Sequence, residues 1–206
     1  MKLPKGDGVC GLSLTEALES RRSLYSTAPL SLDQLGEFLY RTSRITGTLD
    51  AGSETLLRRP YPSGGGFHSL EAYIVATRCK GLEPGMYHYR PLEHGLVSIA
   101  SPGPRVEKLL EEARIGTGRL DRAPSVLIVL AARFRRVSRK YRGLVYSLIL
   151  KEVGAAFQTF YLVATEMGLA PCAIGTGNSE AFCQAAGVEF FQESSVGEFI
   201  LGGAEP

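Results

Sequence analysis

Apolar residues recur along this chain at two spacings, and each predicts a different kind of element. Over Leu14–Arg22, Leu14, Ala17 and Leu18 share one face of a short helix. Ser13 stands at its N-cap and Glu16 three residues on, the arrangement of a capping box. An irregular stretch, Ser23–Leu30, leads to a second helix capped by Ser31, where Leu32, Leu35, Phe38 and Leu39 form a stripe of helical period. Gly47–Pro60 shows no period and reads as an exposed loop. Leu70–Cys79 (LEAYIVATRC) is rich in β-branched and aromatic residues and predicts a buried strand. Met86–Arg90 and Gly95–Ala100 read as two short strands joined by Pro91-Leu92-Glu93-His94.

The second half continues the alternation. Val106–Ala113 predicts a helix, and the apolar run Pro124–Phe134 a central strand. A long helix fills Leu148–Met167, with Val153, Phe157, Phe160, Tyr161 and Ala164 in its stripe and Gly168 as its stop. Leu169–Ile174 reads as a strand, Gly175-Thr176-Gly177-Asn178 as a tight loop, Ser179–Ala186 as a helix and Val196–Gly202 as a last strand. Strands and helices are interspersed without linkers or repeats, which predicts an α+β or α/β sandwich. With 206 residues the expectation is one domain, 1–206, with a short irregular segment at 1–12.

Composition narrows the function. Apolar residues make up 44% and charged residues 21%, ordinary for a folded soluble protein. No apolar run is long enough for a membrane helix, and the start (MKLPKGDG) lacks a signal-peptide core, so a cytoplasmic protein without a membrane partner is expected. A net charge of +2 argues against a nucleic-acid partner, with one diffuse basic stretch at Arg133–Arg142. Cys10, Cys79, Cys172 and Cys183 form no CxxC pair, and His68, His88 and His94 form no HExxH-like pair. No metal site, P-loop, Rossmann fingerprint or GxSxG elbow is expected.

Three clusters, and a loop at Gly175–Asn178 that is a companion of the second, carry candidate chemistry. Arg21-Arg22-Ser23 offers two planar guanidinium forks and a hydroxyl, suited to a phosphate; the same residues also suit a solvated helix C-terminus. Pro62-Ser63-Gly64-Gly65-Gly66 lets backbone approach a flat ligand, or is a flexible loop. Gly175-Thr176-Gly177-Asn178 ends a strand and opens a helix, a favourable place for an anion or a polar ring edge. Lys140-Tyr141-Arg142, followed by Tyr146, sets an ammonium beside a phenol, which favours the phenolate; an exposed basic surface is the alternative.

In their order and spacing these clusters resemble the SagB-type dehydrogenase family of nitroreductase-like flavoproteins, which includes azoline oxidases of peptide and nonribosomal biosynthesis. The resemblance runs from about Leu14 to Gly203, and its most specific pieces are PSGGG…LEAYIV, the following GMYHY hairpin and the GLAPCAIG ending. It implies an α+β fold with a central, mainly antiparallel sheet flanked by helices, and a homodimer with FMN at the subunit interface. It places Arg21, Arg22 and Ser23 at the phosphate and ribityl end and Pro62, Ser63, Gly64 and Gly65 along the isoalloxazine. Ala173, Ile174, Gly175 and Thr176 fall near the reactive ring nitrogen, and Gln158 faces the flavin site. Lys140 and Tyr141 stand where azoline-oxidising members carry a catalytic Lys-Tyr pair.

The implied reaction turns a peptide- or carrier-protein-tethered thiazoline or oxazoline into an aromatic azole, with dioxygen as final acceptor and with possible biosynthetic partner subunits. Tyr141 is the base and Lys140 its activator, or the reverse. The family's pattern departs here at Tyr25, at Phe67-His68-Ser69 and at Ala204-Glu205-Pro206, where a late basic residue is missing. Arg22, Arg58 or Arg59 is the expected substitute. The same fold admits two further readings: an NAD(P)H-dependent reductase of nitro compounds, quinones or enones, and a flavin-free scaffold of a heterocycle-forming assembly.

Overall fold

The structure, a computed structural model, describes residues 1–6, 11–50, 52 and 55–204. The expected capping box forms, and the Ser31 cap proves to be a second one. Ahead of α1 (Leu14–Ser20), the Glu16 N–H donates to Ser13 Oγ at 3.3 Å and the Ser13 N–H donates to the Glu16 carboxylate at 2.7 Å. A two-residue β1 (Leu30–Ser31) runs into α2 (Leu32–Ser43), where Ser31 and Gln34 repeat the exchange at 3.1 and 2.9 Å. Each box satisfies two of the N–H groups that a helix start leaves without partners. The α2 stripe then buries Leu35, Phe38 and Leu39.

The stretch read as an exposed loop, Gly47–Pro60, is instead a hairpin of β2 (Gly47–Asp50) and β3 (Thr55–Arg58). Thr48 stands opposite Leu57 and Leu49 opposite Leu56. Arms of four residues are too short to display a period, so pairing supplies an order that the pattern does not announce. Ala51, Ser53 and Glu54 lie outside the described residues, as do Cys10, Glu205 and Pro206.

The rest follows as β4 (Leu70–Ala76), β5 (Cys79–Lys80), β6 (Gly85–Arg90), β7 (Gly95–Ala100), α3 (Pro104–Thr117), β8 (Val126–Arg133), α4 (Phe134–Ser138), α5 (Val145–Glu166), β9 (Ala170–Ile174), α6 (Ser179–Ala186) and β10 (Glu193–Gly202). Six strands form one sheet in the order β7-β6-β4-β8-β10-β9, every pair antiparallel. Strand alternation splits β8 between two cores. Val126, Ile128, Leu130 and Ala132 join Phe38, Phe160 and Phe199 under α2 and α5. Leu127, Val129 and Ala131 join Val106, Leu109 and Phe182 under α3 and α6. A side chain as large as Phe160, fully buried, stabilises the fold by about 2–3 kcal/mol. This is the α+β architecture expected.

Boundaries moved for identifiable reasons. Pro104 starts α3 ahead of its apolar stripe because its fixed φ suits a first helical turn, and Gly118, at φ +61°, closes it. β10 begins at Glu193 rather than Val196, since Glu193 pairs with Arg133 across the sheet and its carboxylate takes the Arg133 Nε at 2.7 Å. Within the segment expected to be irregular, Met1 is not loose: its ammonium donates to the Leu96 carbonyl at 2.7 Å and its own carbonyl accepts the Leu96 N–H at 2.9 Å.

Candidate functional site

The glycine cluster forms a tight 3-10 turn at Gly64–Gly66. Gly65 and Gly66 adopt φ of +66° and +72°, the left-handed region that glycine enters without strain. A Cβ on Gly65 would stand 2.9 Å from the Phe67 ring and 3.0 Å from the Tyr141 hydroxyl. Glycine is what lets the turn and Tyr141 meet. Phe67 and Tyr141 pack edge to face with ring centres 6.3 Å apart. Lys140 Nζ lies 5.8 Å from the Phe67 ring centre and 5.5 Å from that of Tyr141. Two clusters separated by some seventy-five positions in sequence thus share one surface.

Charge holds them there. The Lys140 and Tyr141 N–H groups both donate to the Val137 carbonyl, so the pair is carried on the end of α4. Arg136 in α4 donates to the His68 carbonyl at 2.9 Å and pairs with Glu71 at 2.6 Å. Arg133 bridges Glu71 and Glu193, and His88 meets Glu71 at 2.8 Å. Burial alone would raise the Glu71 carboxyl; His88, Arg136 and Arg133 outweigh it and hold it at about 2. The basic stretch Arg133–Arg142 is therefore not only a solvated face: Arg133 and Arg136 belong to an ion-pair network that aims the Lys-Tyr pair.

A second group gathers at the other end of α5. The Arg21 guanidinium stacks 5.1 Å from the Tyr161 ring centre, and the Ser23 hydroxyl bonds the Tyr161 hydroxyl at 2.8 Å. That same oxygen accepts the Ala173 N–H at 2.8 Å. Tyr161 thereby joins the Arg-Arg-Ser segment to the end of β9. Arg22 bends back, donating to the Glu19 and Arg21 carbonyls at 2.8 Å, as a cation does at a helix C-terminus. Beyond Ala173, Ile174, Gly175 and Thr176 line a cleft of about 210 Å³ with Phe157, Ser195 and Glu198. A Cβ on Gly175 would meet no atom within 4 Å, so its backbone is open. Burial pushes the Glu198 carboxyl up to about 7, against a smaller opposing effect of Ser195. Gln158 is exposed on α5.

The site residues therefore form two groups within one protomer. Gly64 sits against Leu148 and Arg21 against Tyr161. Those α5 positions are about 20 Å apart at 1.5 Å per residue. Leu14 and Leu18 of α1, Leu24, and Leu144, Tyr146 and Leu150 around the start of α5 are exposed apolar side chains, while Lys151, Gly154 and Gln158 are exposed further along α5. Tyr161, Glu152 and Arg136 were not read as site residues. Tyr161 looks like one more apolar position in a helical stripe. Glu152 carried a legible signal, a carboxylate between Ile149 and Val153 on the buried face of α5.

Among the described residues no group of three or more His, Cys, Asp and Glu could hold a metal ion, and no helix is long and apolar enough to cross a membrane. Cys79, Cys172 and Cys183 are buried free thiols.

An all-antiparallel six-stranded sheet, helices on both faces and a glycine turn against the long helix define the class, and the sequence matches the nitroreductase family over residues 18–203. The chain belongs to that family of oxidoreductases. Among its relatives, MJ1384 of Methanocaldococcus jannaschii, named a nitroreductase, is 32% identical over 166 residues, covering 80% of this chain and 79% of that one. The microcin B17-processing protein McbC of Escherichia coli is 31% identical over 124 residues, 58% of this chain and 44% of McbC. This chain thus aligns with less than half of McbC. A solved Ralstonia eutropha structure, also named a nitroreductase, superposes with a TM-score of 0.77 at 22% identity, covering 100% of this chain and 90% of that one. The E. coli microcin synthetase McbBCD complex, with truncated pro-MccB17 bound, gives 0.70 at 21% identity, covering 100% and 78%.

Proposed function

We propose that this protein is a SagB-type, FMN-dependent dehydrogenase that oxidises a thiazoline or oxazoline, tethered to a peptide or carrier protein, to the aromatic azole. The observation that carries the reading is the meeting of Lys140 and Tyr141 with the Gly64–Gly66 turn. The likeness to the microcin-processing protein supports it.

The residues fit FMN by their chemistry. Arg21 and Ser23 form a cationic, hydroxyl-bearing pair beside Tyr161 for a phosphate, with Arg22 adjacent. Pro62, Ser63, Gly64 and Gly65 give a low rim for a flat ring, and Ile174, Gly175 and Thr176 line an open cleft, with Ala173 next to them holding the Tyr161 hydroxyl. Gln158 adds an exposed amide on α5, the helix that both groups pack against. FMN supplies the hydride acceptor when bound.

The rest falls to this chain. Tyr141 is the base that takes the proton from the ring carbon, and Lys140 stabilises the negative charge that develops. The turn and Phe67 hold the substrate against Tyr141 and exclude water on that side. Because the two groups lie at opposite ends of α5, a homodimer that sets one protomer's glycine turn beside its partner's Arg21 completes the site. Such a pairing would bury exposed apolar side chains of α1 and the start of α5, among them Leu14, Leu18, Tyr146 and Leu150.

Tyr141→Phe and Lys140→Ala are the direct test. Each is expected to retain FMN, read by flavin absorbance, and to slow azole formation by about 100-fold or more. Wild-type turnover in both variants overturns the assignment. A second reading, an NAD(P)H-dependent reductase, is favoured by the broader alignment with MJ1384. Stopped-flow bleaching of the flavin by NADPH but not by an azoline selects it.

A further inference from the structure

Beneath the glycine turn sits a carboxylate that the redox chemistry leaves unused. Glu152 is 3% exposed on the inner face of α5. Its Oε2 accepts three hydrogen bonds: from Ser63 Oγ at 2.9 Å, from the Ser69 N–H at 3.2 Å and from Ser69 Oγ at 2.9 Å. Ser63 Oγ in turn accepts the His68 N–H at 3.0 Å. Ser63 and Ser69 bracket the turn, so one oxygen ties both of its shoulders to the helix.

Its other oxygen is different. Oε1 has no hydrogen-bond partner, nor does His68 Nδ1, which faces it at 3.8 Å, beyond hydrogen-bonding reach. Buried polar atoms are seldom left without partners. His68 also holds φ at +43°, a left-handed conformation that a side chain rarely adopts, while 3% exposed. Backbone strain of this kind persists where the surroundings over-determine it, and it gathers at functional sites. Burial, then Arg59, then Arg136, pull His68 down to about 4, so it is a neutral ring and not the cation of an ion pair. Tyr61 packs edge to face on the His68 ring, 5.6 Å centre to centre.

We propose that Glu152 is the positioning residue of the glycine turn: its Oε2 pre-sets Pro62–Gly65 against α5 in the shape that receives the flavin. The purpose assigned here rests on the flavin reading; the geometry does not. A turn already held in its binding shape spares the ligand the cost of ordering it.

The test uses the full chain and three readouts: amide hydrogen exchange of residues 62–70 without flavin, FMN titration, and global melting. Glu152→Ala is expected to speed exchange at the His68 and Ser69 amides and to weaken FMN binding, each on the order of tenfold. Glu152→Gln keeps an oxygen for the three donors and turns an amide N–H toward His68 Nδ1, and is expected to stay within about threefold of wild type. Should Glu152→Ala not fold, Ser63→Ala and Ser69→Ala remove the donors singly and are expected to shift both readouts in the same direction by less. Wild-type exchange and affinity in Glu152→Ala, or equal damage in Glu152→Gln, overturns the proposal. A wild-type chain that binds no FMN removes the flavin reading, while the exchange data still decide the role of Glu152.

Discussion

Glu198 shows how one side chain carries both stability and site chemistry. An unfolded glutamate loses its proton near pH 4.3, whereas burial keeps the folded group protonated to about 7. Between those values the folded state binds more protons than the unfolded one, so stability falls as pH rises through that window. Above pH 7 the charge stands in a cleft beside Gly177 and Thr176. Glu198→Gln is expected to remove this loss. Its melting temperature, measured beside wild type, should exceed it by about 2–6 °C at pH 8 and converge with it at pH 5. His68, held at about 4, works in the opposite sense, with stability lost as pH falls from about 6.5 toward 4. Reading the variant against wild type at each pH separates the two. Neither shift is legible in the sequence, because each depends on burial that residues distant in the chain create.

Elements whose signals are local were legible, and those that depend on distant partners were not. The Ser13–Glu16 box and the Ser31 cap each lie within four consecutive residues and form as read, and Gln34 completes a second box that was not read. The run around β8 has no reading other than a central strand. The β2–β3 hairpin and the polar start of β10 escaped because their order comes from pairing, at Leu49–Leu56 and at Glu193–Arg133. At the candidate site the glycine turn was legible as a turn, but its contact with Tyr141 was not. That contact predicts a contrast between neighbours. Gly65→Ala adds a Cβ at positive φ and drives it into Phe67 and Tyr141, whereas one on Gly66 would sit 3.7 Å from Leu56. Urea unfolding should show a loss of about 2–3 kcal/mol for Gly65→Ala and about 1 kcal/mol for Gly66→Ala. Equal losses would mean that Tyr141 does not rest on the turn.

At the scale of the whole molecule, α5 is the ruler. Its Leu148 backs the glycine turn and its Tyr161 backs Arg21, about 20 Å apart, and it exposes Tyr146 and Leu150 along its first turns. The resemblance to a family implied a shared flavin site, and on the proposed reading the separation of its halves within one protomer calls for a second copy. The most direct measurement is size-exclusion chromatography with light scattering and full absorbance spectra, on protein incubated with FMN and freed of excess. A particle of twice the 22.3 kDa chain mass, carrying one bound flavin per chain, is the predicted result. A monomer that retains flavin, or a dimer that elutes colourless, would contradict it.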